Sequence, residues 1–236
     1  MQGKGGVGKT TSAAYFVQSL KAAGFPAIVL DTDPVNQTLA AYKSLEAVIV
    51  DIMDGEEIDG SKFDAVVEVA VGVPDGSHLV VDTGSSNFVK LMSYLKSTNA
   101  LGIIKDSGQE VRIHAVIVGG TEAKETFSRV RDFAVSFSAI DLIIWKNQYF
   151  GPVHLLNTSF EETNLYHEFK NKFSAIVEIP SHLPADTFGR DIQQMLIDRL
   201  SFEEGIKGGH YHIMHRQRLQ IYWDKLQAAL KKAHLI

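Results

Sequence analysis

The chain has 236 residues, with 23 Lys plus Arg against 28 Asp plus Glu (net charge -5), 45% hydrophobic residues and no cysteine. That composition excludes a disordered chain, a disulfide scaffold, a thiolate zinc site and a cysteine-held iron–sulfur cluster. No run of 18 apolar residues and no charged-then-apolar leader is present, so the expectation is a cytoplasmic protein without a membrane span or secretory signal.

Taken in order, residues 10–23 carry Ala13, Ala14, Phe16, Val17 and Leu20 at helical spacing, and Gly24 closes the helix as its C′ residue. The apolar run 27–30 stops at Asp31, and the run 78–81 stops at Asp82. The run 111–118 stops at Gly119-Gly120, 140–145 near Asn147, and 175–179 at Pro180. Continuous rather than alternating apolarity predicts strands buried on both faces, as in a parallel sheet. Helical patterns occupy 61–71, 88–95, 121–137, 160–173 and 186–200. The alternation predicts an α/β, doubly wound, mostly parallel fold with right-handed crossovers. One domain spanning 1–236 is the expectation, with 202–236 as a C-terminal helical appendage broken at Gly208-Gly209.

The strongest signal is Gly3-Lys4-Gly5-Gly6-Val7-Gly8-Lys9-Thr10-Thr11. It satisfies G-x-x-x-x-G-K-[ST], a phosphate-binding loop. Glycines allow positive φ and bring successive N–H groups close to phosphate oxygens. The helix that follows adds the positive end of its dipole. Lys9 supplies a point charge, and the Thr10 hydroxyl suits Mg2+.

With Lys4 ahead of Gly5-Gly6, this segment resembles the deviant Walker A motif of the ParA/MinD family of ATPases. The resemblance implies a P-loop fold and a homodimer with ATP and Mg2+ at its interface. It implies that Gly3, Gly5, Gly6, Val7, Gly8, Lys9, Thr10 and Thr11 cradle the nucleotide. It also implies that Lys4 crosses to the partner's phosphates, as an arginine finger does.

Asp31-Thr32-Asp33-Pro34 resembles the family's D-x-D-P segment. Asp33 would then place the attacking water, and Asp31 would lie near the magnesium hydration shell. The alternative is that both are turn residues and a helix cap. The run into Asp82 is similar to a Walker B strand, so Thr10, Asp31 and Asp82 form the implied metal set. Gly84 would place an N–H on the γ-phosphate. Asn147 either meets the adenine base or caps a loop turn. No N-K-x-D signature occurs, which favours ATP over GTP.

Beyond the nucleotide motifs, residues 31–36, Gly119-Gly120, 145–152, 187–191 and 214–219 resemble the TraL family of plasmid conjugal-transfer proteins. The implied role is plasmid transfer, or else plasmid partition and stability, with a conjugation or partition partner protein. ParA/MinD proteins carry a strand before the loop. Here Met1-Gln2 leaves no room for it, so a truncated or internally started chain with its first central strand missing is expected.

Lys124, Arg129 and Arg131 offer either a non-specific DNA contact or a solvated basic face. Leu219, Tyr222, Trp223, Leu226, Leu230 and Ala233 form a stripe that reads as a docked helix rather than a membrane anchor. His210, His212 and His215 read as an exposed, pH-sensitive helix start rather than a metal site. Two rivals remain: a P-loop amidoligase of the cobyric-acid type, and a scaffold with a degenerate site. Intact Lys4, Lys9, Thr10, Asp33 and Asp82 argue against degeneracy.

Overall fold

A computed structural model describes residues 6–181 and 186–236. The chain divides into two compact units, 1–111 and 112–236.

The first unit opens on α1 (Lys9–Ala22), which buries Ala14, Tyr15, Phe16, Val17 and Leu20. Its end is a Schellman motif. Gly24, at φ +85°, donates its N–H to Lys21 O at 3.1 Å, and Phe25 N–H reaches Leu20 O at 3.0 Å. The left-handed φ explains the glycine. The chain then enters β1 (Ala27–Asp31).

A short edge strand, β2 (Val48–Ile49), lies parallel to β1. An antiparallel pair follows, β3 (Met53–Asp54) and β4 (Glu57–Ile58), turning at Gly55 with φ +60°. A 3-10 turn then leads into α2 (Asp64–Val71). Next come β5 (His78–Asp82), α3 (Ser85–Ser97) and α4 (Ala100–Asp106). The sheet order is β2-β1-β5, all parallel. Leu20, Leu30, Leu39, Leu45, Ile52 and Phe63 fill the core beside it. No described strand precedes α1.

The second unit alternates β6 (Arg112–Val118), α5 (Ala123–Ser136) and β7 (Asp141–Asn147). A small antiparallel pair, β8 (His154–Leu155) and β9 (Thr158–Ser159), precedes α6 (Asn164–Phe169) and β10 (Phe173–Glu178). Its sheet is parallel, in the order β10-β7-β6. The continuous apolar run of β7 is buried from Leu142 to Trp145, as the sequence pattern predicts.

The predicted helix 160–173 is much shorter in the structure. Thr163 is extended (φ -74°, ψ 152°), and its hydroxyl accepts from Tyr166 N–H at 3.2 Å. That cap starts α6 afresh, and Phe173 already belongs to β10.

The unit closes with α7 (Thr187–Ile197), α8 (Phe202–Lys207) and α9 (Ile213–Lys232). Leu219, Tyr222, Leu226 and Leu230 on α9 are buried, and Phe202 of α8 lies against Tyr222 and Trp223 with ring centroids 5.8 and 4.8 Å away. The apolar stripe is therefore spent on its own unit. Truncating Leu226→Ala should cost about 3 kcal/mol through the cavity it leaves. Urea unfolding of the full chain would read this loss.

The expected exposed histidine start is overturned at His215. Its ring stacks on Tyr211 at 3.9 Å, its Nδ1 lies 3.6 Å from Asp191 Oδ1, and Arg218 donates to the same carboxylate. That contact ties α9 to α7, so the side chain packs inward instead of facing solvent. His210 and His212 are exposed. Of the basic residues on α5, Arg129 pairs with Glu125 at 2.8 Å and Arg131 with Glu168 at 3.6 Å. No described helix is long and apolar enough to cross a membrane.

Candidate nucleotide site

The register of the first sheet sets Asp31 opposite Asp82. Both therefore sit at the carboxyl edge of parallel strands, where open α/β sheets bind ligands. Beside them, α1 begins at Lys9 with Gly8 as its N-cap at φ +96°, and Gly6 has φ +103°. These left-handed values are what the glycines of the loop supply. No side chain caps α1, and no acidic residue lies in its first turn. Its positive end is thus left for an anion.

The three carboxylates differ in environment. Asp31 is 0% exposed. Its Oδ1 accepts from Asp33 N–H at 3.1 Å and its Oδ2 from Ala40 N–H at 3.0 Å. It organises the loop after β1, the turn role that stood as the alternative for this residue. Asp33 uses Oδ1 to accept from Val35 N–H at 2.9 Å and Asn36 N–H at 3.0 Å. This is the turn-capping role of an aspartate, and it engages only one of the two oxygens.

Asp82 is 5% exposed. Burial pushes its carboxyl up to about 6, a hydrogen bond with the Thr10 hydroxyl opposes this, the Asp31 charge adds to the rise, and Lys9 opposes it. Its buried Oδ2 has no partner among the described residues. An orphaned carboxylate oxygen beside a threonine hydroxyl is the donor set a hydrated Mg2+ would satisfy. Thr10 and Asp82 therefore fit that ion.

Thr32 and Asn87 are the residues that motif reasoning misses. Thr32 is fully buried, and both its N–H and its Oγ1 donate to Asp82 O, at 3.0 and 2.9 Å. Asn87, in the first turn of α3, donates its amide to Thr32 O at 2.5 Å and to Thr32 Oγ1 at 3.2 Å. The only hint in the sequence is an amide shortly after the Asp82-Thr83-Gly84 strand end.

Asn147 lies in the second unit, at the end of β7, and its Oδ1 accepts from Tyr149 N–H at 3.1 Å. The turn-capping alternative is the geometry observed. Its neighbour Lys146 is buried between Glu161 at 2.8 Å and Glu178 at 2.9 Å. Burial works to lower the Lys146 pKa, but the two carboxylates outweigh it and raise the value. Gly3, Lys4 and Gly5 lie outside the described residues.

Residues 1–197 match the CobQ/CobB/MinD/ParA nucleotide binding domain, so the chain belongs to that family. Within it, the chain stands close to the TraL proteins. It is 38% identical over 237 residues to a protein TraL of Escherichia coli, covering 100% of this chain and 97% of that protein. A second Escherichia coli protein TraL is 39% identical over 234 residues, covering 97% and 96%. Among solved structures, the MinC:MinD cell division protein complex of Aquifex aeolicus matches with a TM-score of 0.54 at 16% identity, covering 97% of this chain and 94% of that one. That likeness confirms the MinD-like α/β P-loop architecture.

Proposed function

We propose that this protein is a slowly hydrolysing switch ATPase of plasmid conjugal transfer. It would act as a homodimer closed over ATP, with all 236 residues as one ATPase domain. The observation that carries the reading is the cluster beneath α1. There the sheet register joins Asp31 to Asp82, Thr10 bonds Asp82, and a buried Asp82 oxygen is left unpaired.

In this reading Gly6, Val7, Gly8, Lys9, Thr10 and Thr11 hold the phosphates, together with Gly3 and Gly5. Bound Mg2+ would supply positive charge to the β- and γ-phosphate oxygens. Thr10 and Asp82 would hold it, with Asp31 acting through water. Lys9 and the partner subunit's Lys4 neutralise charge that builds on the transferring phosphoryl group. Asp33 orients water for in-line attack, and the Gly84 N–H reports the γ-phosphate. Asn147 contacts the adenine, supported by its place at the carboxyl end of a parallel strand.

The conjugation role rests on the two TraL relatives. A transfer or partition protein is the expected partner, with non-specific DNA contact secondary and a membrane disfavoured. Calorimetric titration with ATP tests the proposal. Saturable binding that requires Mg2+, followed by phosphate release, is the expected result. No magnesium-dependent affinity would overturn it.

A further inference from the structure

Thr32 O and Asp33 N–H are the two ends of one peptide group, and a different side chain holds each end. The Asn87 amide donates to Thr32 O at 2.5 Å, and Asp31 Oδ1 accepts from Asp33 N–H at 3.1 Å. A peptide group is planar, so fixing its carbonyl and its N–H fixes the plane, and Asp33 Cα lies in it. Beyond that atom, Val35 N–H and Asn36 N–H hold Asp33 Oδ1. The carboxylate proposed to orient water is thus aimed by its own turn and by the plane behind it.

Asn87 is fully buried and can hold that plane in one orientation only. Thr32 O is a carbonyl and only accepts. Thr32 Oγ1 gives its single hydrogen to Asp82 O at 2.9 Å, so towards Asn87, 3.2 Å away, it accepts too. Asn87 therefore turns its nitrogen to Thr32, and its buried Oδ1 is left with no partner among the described residues. A side chain needed only to fill space would not carry that cost, because an apolar residue of the same shape avoids it. Gly84 adds to the restraint. A Cβ built there would lie 2.9 Å from Asp33 Cγ and Oδ2 and 3.0 Å from Asn87 Oδ1, so these two side chains already fill the place a third would take. The Gly84 backbone is ordinary extended chain, φ -63° and ψ 158°, so its bare Cα serves this close packing rather than φ.

We infer that Asn87 is a positioning residue for hydrolysis: it fixes the peptide plane between Thr32 and Asp33 and so aims the Asp33 carboxylate. The inference rests on the ATPase reading and adds to it a residue that acts through Asp33 rather than on the nucleotide. In-line attack depends on where that carboxylate places the water, and a misplacement of about 1 Å can slow a reaction about a hundredfold. Nucleotide affinity belongs to the phosphate loop and the start of α1, which this plane does not hold.

The test follows ATP hydrolysis by the full chain at saturating Mg-ATP. Mg-ATP affinity and the Mg2+ concentration giving half the maximal rate are measured on the same proteins. Asn87→Ala should slow turnover about tenfold, while affinity and the Mg2+ midpoint each change less than about threefold. A residue that only supports the fold or the metal would move affinity or midpoint along with the rate. A double-mutant cycle with Asp33→Asn tests the route. Where Asn87 acts through Asp33, Asn87→Ala slows the Asp33→Asn chain less than about twofold, read in single turnover with excess enzyme.

If Asn87→Ala loses its fold by circular dichroism, Asn87→Ser carries the same expectation, since its hydroxyl is too short to replace the amide nitrogen. An unchanged rate in the Asn87 variant overturns the inference. So does a matching loss of Mg-ATP affinity, a shifted Mg2+ midpoint, or the same slowing repeated in the Asp33→Asn chain. A wild-type chain that neither binds nor hydrolyses Mg-ATP sinks the ATPase reading instead.

Discussion

Lys9→Ala is expected to lower Mg-ATP affinity about a hundredfold and to abolish measurable turnover. Lys9 is the first residue of α1, directly after the left-handed Gly8. In the proposed site its ammonium would add to the helix dipole at the phosphates. Losing charge-assisted bonds to a phosphate costs about 3 kcal/mol, which is about two orders of magnitude in Kd. Calorimetry with wild type and variant side by side measures the ratio. The glycines and the helix end stay in place, so a fold defect should not confuse the result, and circular dichroism checks this. Equal affinity in the two proteins would remove Lys9 from the site.

The second large effect concerns stability and has the opposite sign. Asp82 carries a carboxyl pushed up to about 6, with burial the main cause. Between the ordinary value of 3.8 and about 6, the folded chain keeps a proton that the unfolded chain has lost. Stability from this group is therefore complete below about pH 4 and is lost as pH rises through about 6. The swing is about 3 kcal/mol for a shift of about two units. Asp82→Asn removes the buried charge. In the absence of nucleotide, the variant should be more stable than wild type by about 2 kcal/mol at pH 7.5. The two proteins should differ little at pH 4, where Asp82 is protonated. Phosphate release should fall at least tenfold if, as proposed, Asp82 shares Mg2+ with Thr10. Urea unfolding at both pH values, with a turnover assay, checks all three statements. A variant less stable at pH 7.5 would show that the unpaired oxygen is not a burden.

Strand β7 was readable because burial on both faces leaves an unbroken apolar run from Leu142 to Trp145, whereas β6 starts with exposed and buried residues in alternation. Around Lys9 the sequence pattern called for positive φ at its glycines, and Gly6 and Gly8 adopt it. The antiparallel pairs at 53–58 and 154–159 left no periodicity, being two residues per strand. The short α4 went unread for a similar reason, with only seven residues to show a pattern.

Thr32 and Asn87 were invisible because their roles arise from contacts between distant segments and belong to no spacing rule. Structure also explains why several TraL-like segments occur together. A Cβ on Gly119 would fall 2.0 Å from Pro152 O, so the glycine and the 145–152 segment must pack as a pair. Likewise Asp191, within 187–191, holds His215 and Arg218, within 214–219.

Thr32 has a mechanical consequence. One carbonyl, Asp82 O, receives two of its hydrogen bonds, and the Asn87 amide grips it from α3. The ends of β1 and β5 are thereby riveted at a single point. Moving one strand end means breaking these bonds or carrying the other end along, so in the proposed ATPase the two loops would answer the terminal phosphate as a single unit.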